Sequence, residues 1–253
     1  MKKQKLSLPA RISANPAVSS QHRRTIECMS AEVHTLPPVT LTDHDALLVI
    51  DMQDDFVSPT GSLSVPGGEG IVPGINALAA HFTHVILTQD WHPAGHISLA
   101  STHGLKPFTD TVQAPYGIQH LWPDHCLQGS PGAELYSALS IPHAELILRK
   151  GFRRDIDSYS AFTENDRTTT TGLAAYLQAR GLHRLFFCGL AYDYCVGFSA
   201  IAAAQLGFDT WVIEDLCRGI ATASIEATNK TFADLNVRRI SSEEVLALEP
   251  YAR

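Results

Sequence analysis

Residues 46–51 read ALLVID, an unbroken apolar run that stops at a carboxylate, Asp51. A run this short and continuous suits a strand covered on both faces, because a strand with one wet face alternates apolar and polar residues. Working outward, runs of the same kind recur at 84–88 (HVILT), 145–149 (ELILR), 185–188 (LFFC) and 210–213 (TWVI), with a weaker one at 237–240. Helix candidates lie between them. Residues 71–81 carry Pro73 in their first turn, where a missing N–H costs nothing. Residues 168–180 and 195–206 run up to Gly181 and Gly207, natural C-terminal stops, and 223–235 precede the last strand. Alternating strands and helices close as right-handed crossovers. The pattern therefore predicts an α/β domain over 41–253, a three-layer sandwich with a central, mostly parallel sheet of about six strands and helices on both faces.

Composition narrows the function classes. The 253 residues are 45% hydrophobic, enough for a sizeable core, and no apolar run approaches the ~18–20 residues a membrane span needs. Net charge is −7 but unevenly placed: residues 1–26 hold six of the nineteen basic residues and no acid. The rest carries thirteen basic against 26 acidic residues, which argues against nucleic acid as a partner. Residues 1–40 show no sustained periodicity and read as a flexible N-terminal extension, with Met29 as an alternative start and a transit peptide as a further reading. No apolar core region follows the first lysines, so a secretory signal is not expected. Five cysteines, Cys28, Cys126, Cys188, Cys195 and Cys217, form no CxxC pair. An odd count without that spacing suits free thiols in a reducing compartment, hence a cytoplasmic protein. The sequence leaves a homo-oligomer open.

In open parallel sheets, ligands bind beyond the carboxyl ends of the strands. Four of the strand ends here deliver reactive groups to one edge. Asp51 follows the first run. Asp90 and His92 follow the second, in QDWHPAGH (89–96). Lys150 ends the third, and a turn after the fourth leads to Cys195. Carboxylate and imidazole two residues apart can share a metal ion, and His125 in WPDHC (122–126) is the candidate third ligand. Cys195 lies where a helix is expected to begin. Unpaired N–H groups and the helix dipole there should favour thiolate over thiol, lowering a pKa that is otherwise about 8.5. Cys188, inside a strand, reads as core. Asp54 and Asp55 read as ordinary helix-start or loop residues. The stretch 91–143 is too long and too rich in His, Pro and Gly for an idle loop.

Taken jointly, VIDMQDDF (49–56), TQDWHPAGHIS (88–98), LWPDHC (121–126), RKG (149–151), DSYSAF (157–162), GLAYDYCVGFSA (189–200) and EDLCRGI (214–220) resemble the nicotinamidase branch of the isochorismatase-like cysteine hydrolases. The resemblance spans about 46–218. It implies hydrolysis of nicotinamide, and of pyrazinamide, through a triad of Asp51, Lys150 and Cys195. It implies one divalent metal ion (zinc, iron or manganese) held by Asp90, His92 and His125, with His96 a fourth ligand in some members. It also implies a cis peptide at Leu190–Ala191, an oxyanion hole from the Ala191 and Cys195 N–H groups, and a substrate ring held between Phe56 and Trp122 near Tyr159. One departure is Tyr192, where many relatives have Thr; its side chain is expected to point away from the attacked carbonyl. The nearest rival is a related amidohydrolase acting on a carbamoyl or ureido compound, whose members usually lack the metal set. A dinucleotide-binding protein would need GxGxxG after the first strand, where this chain has Asp51-Met52-Gln53-Asp54-Asp55. A catalytically dead scaffold would need no such trio.

Overall fold

The run that opens at Asp45 is buried at every position because it lies in the middle of the sheet. A computed structural model describes residues 40–247. The expected extension, the alternative start at Met29 and Cys28 lie outside the described residues, apart from Thr40. Strand β1 (Asp45–Ile50) pairs in parallel with β2 (His84–Asp90) on one side and β6 (Arg184–Leu190) on the other. Next to β2 lies β5 (Leu146–Lys150). Beyond β6 come β7 (Asp209–Arg218) and β8 (Arg238–Ile240). The order is β5-β2-β1-β6-β7-β8, with every pairing parallel. Two further strands, β3 (Thr111–Ala114) and β4 (Gly117–His120), form a separate antiparallel hairpin.

This order places the site. The chain moves outward from β1 to β2 and β5, then returns to the other flank of β1 and runs out through β6, β7 and β8. Right-handed crossovers made in opposite directions put their helices on opposite faces. Thus α2 (Val72–Ala79), which follows the short α1 (Asp54–Val57) between β1 and β2, covers one face; another short helix, α3 (Ala100–His103), comes after β2. Helices α5 (Gly197–Gln205) and α6 (Thr222–Asp234), which connect β6 to β7 and β7 to β8, cover the other. The final helix, α7 (Ser242–Leu246), packs beside α2. The reversal falls between β1 and β6, where the connections leave toward opposite faces and open a crevice at the carboxyl ends. The core beneath it is apolar: Leu47, Ile86, Phe186, Phe187 and Val212 are fully buried, each worth about 1.5–3 kcal/mol of transfer free energy. No described helix is long and apolar enough to cross a membrane.

Three elements depart from the sequence expectation. The helix expected over 168–180 is confined to α4 (Leu173–Ala179). Asp166 accepts from Thr168 N, Thr169 N and Thr169 Oγ1, and Gly172 takes φ +93°, so the preceding residues form a turn that competes with helix. The helix expected to begin at Cys195 is preceded by a wide π-type turn, Tyr192–Val196, that runs into α5. Cys195 is therefore the fourth residue of that turn rather than a helix N-terminus. Strand β7 runs five residues past its apolar run, with a register shift against β6 between Phe187 and Gly189.

At that shift Gly189 has φ +113°, and a Cβ there would lie 2.2 Å from the Ile50 carbonyl oxygen. Neither the backbone conformation nor the space admits a side chain. Gly189→Ala is expected to lower stability by about 3 kcal/mol or more, read as a drop in the urea midpoint at unchanged slope.

Candidate active site

Lys150 is the last residue of β5, and its ammonium has no exposure to solvent. It donates to Asp90 Oδ1 at 2.5 Å, to the Ser158 carbonyl at 3.1 Å and to Cys195 Sγ at 3.3 Å. Its three protons are then committed. Asp51 Oδ2 lies 2.8 Å from the same nitrogen as an ion pair but receives no directed hydrogen bond. The other oxygen, Oδ1, accepts from Thr88 Oγ1 at 2.6 Å, and Thr88 Oγ1 in turn accepts from Asp51 N. Oδ2 thus keeps room for a proton on the side of Cys195. An oxygen of Asp51, an oxygen of Asp90 and Cys195 Sγ all lie within 4.8 Å of one another.

Electrostatics decides where protons rest. Burial pushes the Asp51 carboxyl above its ordinary range, and Lys150 only partly offsets this. Burial likewise pushes the Cys195 thiol well up, against the pull of Lys150. The expectation of a thiol lowered by a helix terminus is therefore corrected: lost hydration, with Asp51 and Asp90 beside it, outweighs the nearby ammonium. Lys150 stays charged, because Asp51 and Asp90 outweigh the burial that acts against its proton.

Beside this trio, Asp90, His92 and His125 present donor atoms within 4.8 Å of one another, all buried. His92 Nε2 lies 3.6 Å and His125 Nε2 3.9 Å from Asp90 Oδ2. Each imidazole points its other nitrogen at a backbone carbonyl, His92 Nδ1 at Gly151 (2.8 Å) and His125 Nδ1 at Pro123 (2.7 Å). That leaves both Nε2 atoms facing one carboxylate oxygen, an arrangement that fits a divalent cation; burial opposes a proton on His92, but the Asp90 carboxylate outweighs it and raises the His92 pKa, so a cation would have to displace that proton. Burial and the neighbouring His92 push the His125 pKa down to about 4, which keeps its ring neutral and able to ligate. His96 stacks on His92 at 4.1 Å, with Nδ1 on Ser98 Oγ and Nε2 on the Ile156 carbonyl, so both its nitrogens have protein partners. Gly151 must lack a side chain, since a Cβ there would meet His92 Cε1 at 2.5 Å.

Of the trio, Cys195 lines a cavity together with Asp90, His92 and His125 of the donor set, while Asp51 and Lys150 lie behind the sulfur. Phe56, Trp122 and Tyr159 line it, as do Ala191 and Cys195. Trp122 Nε1 donates to Tyr159 Oη at 3.0 Å, which orients both rings. The Leu190–Ala191 peptide is cis. Tyr192 points away from the cavity: its hydroxyl hydrogen-bonds Asn229 of α6 and its ring packs edge-on to Phe232. Sequence reading missed several members. Tyr194 and Asp157 line the cavity. Gln53 holds Asp90 by both backbone groups, accepting from its N–H at 2.7 Å and donating to its C=O at 2.8 Å. Asp55 accepts from Cys126 N at 2.7 Å and so anchors the loop bearing His125, a larger part than a helix-start residue plays. A polar Thr88 within an apolar strand was the one available signal for the group on Asp51.

A buried cysteine, carboxylate and lysine at the reversal point of a parallel sheet, next to a mixed Asp/His donor set, define a class of α/β hydrolase. The comparisons identify it. The family model for the isochorismatase domain matches residues 45–244, and the chain belongs to that family. A nicotinamidase of Acinetobacter baylyi is 49% identical over 203 residues, covering 79% of this chain and 94% of that protein. Among solved structures, a nicotinamidase and pyrazinamidase of Acinetobacter baumanii superposes with a TM-score of 0.78 at 48% identity, over 81% of this chain and 99% of that one. A pyrazinamidase of Pyrococcus horikoshii in complex with zinc gives 0.65 at 31% identity, over 78% and 99%.

Replacing Lys150 by Met would leave two buried carboxylates without their cation. The loss is expected to be about 3–5 kcal/mol at neutral pH, measured by urea denaturation. A carboxyl whose folded pKa is raised stabilises the fold while protonated and loses that contribution as pH rises through the folded value. The deficit of Lys150→Met is therefore expected to shrink toward pH 4 and widen toward pH 8.

Proposed function

We propose that the chain is a nicotinamidase, hydrolysing nicotinamide to nicotinate and ammonia, and that it also cleaves pyrazinamide. The observation that carries this reading is the convergence of Asp51 and Lys150 on Cys195, which lines an aromatic-walled cavity together with the Asp90/His92/His125 donor set. The named activities of the relatives support it. The metal held by Asp90, His92 and His125, of which zinc, iron and manganese all suit mixed Asp/His ligation, would supply a Lewis acid for the pyridine nitrogen.

The residues divide the work as follows. Phe56 and Trp122 take the ring between them, with Tyr159 closing the side. Asp51 Oδ2 accepts the proton of the Cys195 thiol, and the sulfur attacks the amide carbon as the carbonyl electron pair moves to oxygen. The N–H groups of Ala191 and Cys195 receive that oxyanion; one such donor is worth about 2.7–4 kcal/mol in the transition state. Lys150 compensates whichever partner, thiolate or carboxylate, is anionic. The intermediate collapses, the C–N bond breaks, and the proton on Asp51 goes to the departing nitrogen, giving ammonia and a thioester. Asp51 then takes a proton from water as its oxygen attacks the thioester carbon. The C–S bond breaks, nicotinate leaves, and Asp51 returns the proton to the sulfur. One hard amide cleavage becomes two easier steps. The raised thiol suits this sequence, because the proton moves at the moment of attack and no free thiolate stands exposed beforehand. Cys126, Cys188, Cys195 and Cys217 are free thiols, which supports a reducing compartment such as the cytoplasm.

Ammonia release from nicotinamide, followed by a coupled dehydrogenase assay, tests the reading. Wild type is expected to turn over nicotinamide and pyrazinamide. Cys195→Ala is expected to lose at least about 10⁴-fold in kcat, and residual turnover near the wild-type rate would remove the thioester route. Dialysis against a chelator is expected to abolish turnover, with recovery on adding zinc, iron or manganese. Activity untouched by chelation, in protein shown to be metal-free by elemental analysis, would remove the metal from the reading.

A further inference from the structure

Between the cis peptide and the nucleophile stands Asp193, buried and turned away from the cavity side of its own turn. It neither lines the cavity nor belongs to the trio. Its carboxylate reaches across to the segment joining β7 to α6. Oδ1 accepts from Ile220 N at 2.9 Å, and Oδ2 accepts from Ala221 N at 3.1 Å and from Ser224 Oγ. Ala221 is the N-cap position of α6 and offers no side-chain cap of its own. Asp193 therefore caps α6 from another element, two residues from the attacking sulfur. The approach is close: a Cβ on Gly219 would lie 3.2 Å from Asp193 Oδ1 and 2.7 Å from Ile225 Cδ1.

Ile220 is the residue this arrangement places. Its side chain lines the catalytic cavity yet remains 40% exposed, so it stands at the mouth. Nothing in its own segment fixes it, since it falls between the end of β7 and the start of α6. Its N–H is held by Asp193 alone among the side chains described. The nucleophile turn and one lip of the cavity are thus joined through a single carboxylate. Tyr192 adds a parallel tie from the same turn to Asn229, further along α6.

We propose that Asp193 is a positioning residue for substrate binding: by holding Ile220 and Ala221 it sets the width of the cavity mouth beside Cys195. It acts through Ile220 and takes no part in bond making or breaking. The inference rests on the nicotinamidase reading for its substrate. Wild-type turnover of nicotinamide tests that reading separately, before any variant is compared.

The experiment is a double-mutant cycle on nicotinamide kinetics with metal-loaded, full-length protein. Asp193→Asn keeps the size of the side chain but turns an N–H₂ group toward donors. It is expected to raise KM about tenfold with kcat within about threefold of wild type, the signature of lost binding rather than lost chemistry. Ile220→Ala is expected to raise KM to a similar degree. In the Ile220→Ala background, adding Asp193→Asn is expected to change KM by less than about twofold, because the residue it acts through is gone. Ser224→Ala removes one of three donors and keeps the proposal testable should Asp193→Asn fail to fold. It is expected to raise KM about two- to threefold with kcat unchanged. The inference is overturned by a fall in kcat at constant KM in Asp193→Asn, by KM effects that multiply in the double variant, or by a folded Ser224→Ala with wild-type KM.

Discussion

Everything in the site depends on keeping one ammonium charged where no water reaches it. Lys150 carries its charge into a fully enclosed position, and two carboxylates, a carbonyl and a sulfur surround it. Such a cation is tolerable only when matched, and its matching groups are then fixed by it in turn. Asp90 is bound on one oxygen by Lys150 and offers the other to the two histidines, so the ammonium and the candidate metal share a carboxylate. Asp51 is held by charge and by Thr88, with one oxygen left for a proton. The lysine thus fixes the Asp51–Cys195 pair and the candidate metal donors together.

The reversal of strand order makes this convergence available. Asp51 and the Cys195 turn come from adjacent strands whose connections part to opposite faces, while Asp90 and Lys150 sit opposite each other in the β2–β5 register. Four groups far apart in sequence meet at one edge without any long loop having to find its place. The long stretch 91–143 supplies what a strand end cannot, namely the Trp122 wall and the candidate ligand His125. Side chains of the first connection pin it: Asp55 to Cys126, Gln53 to Ala133.

Much of this was legible in the sequence. Six short apolar runs became six strands, and the reactive residues after four of them became neighbours in space. That legibility has a physical basis: strands buried on both faces must be continuously apolar, and a charge at the end of such a run has few places to point except the crevice. The helix boundaries near Thr168 and Cys195 were less legible, because side-chain bonds from Asp166 and a wide turn at Tyr192 compete with the regular helix. The motif around Cys195 points to a lowered thiol pKa, whereas burial raises it. A turn dipole is local, whereas the hydration lost on burial depends on parts of the chain that the motif does not contain. Asp193, Gln53 and Asp55 were hidden for the same reason, since each acts on backbone contributed by a distant segment.

One consequence follows from where Lys150 is housed. It belongs to β5, the outermost strand on its side, whose alignment among the described residues comes from β2 alone. Side chains along β5 alternate in exposure, with Ile147 and Arg149 facing out and Lys150 facing in. Sliding that strand by one step would carry the ammonium out to solvent and bring Arg149 or Gly151 to its seat. Replacement of the outward residues should therefore be easy over evolutionary time, whereas gain or loss of a single residue between Val85 and Lys150 must be absorbed by the connecting loops before it reaches the edge. Length, more than identity, is what this border of the sheet has to conserve.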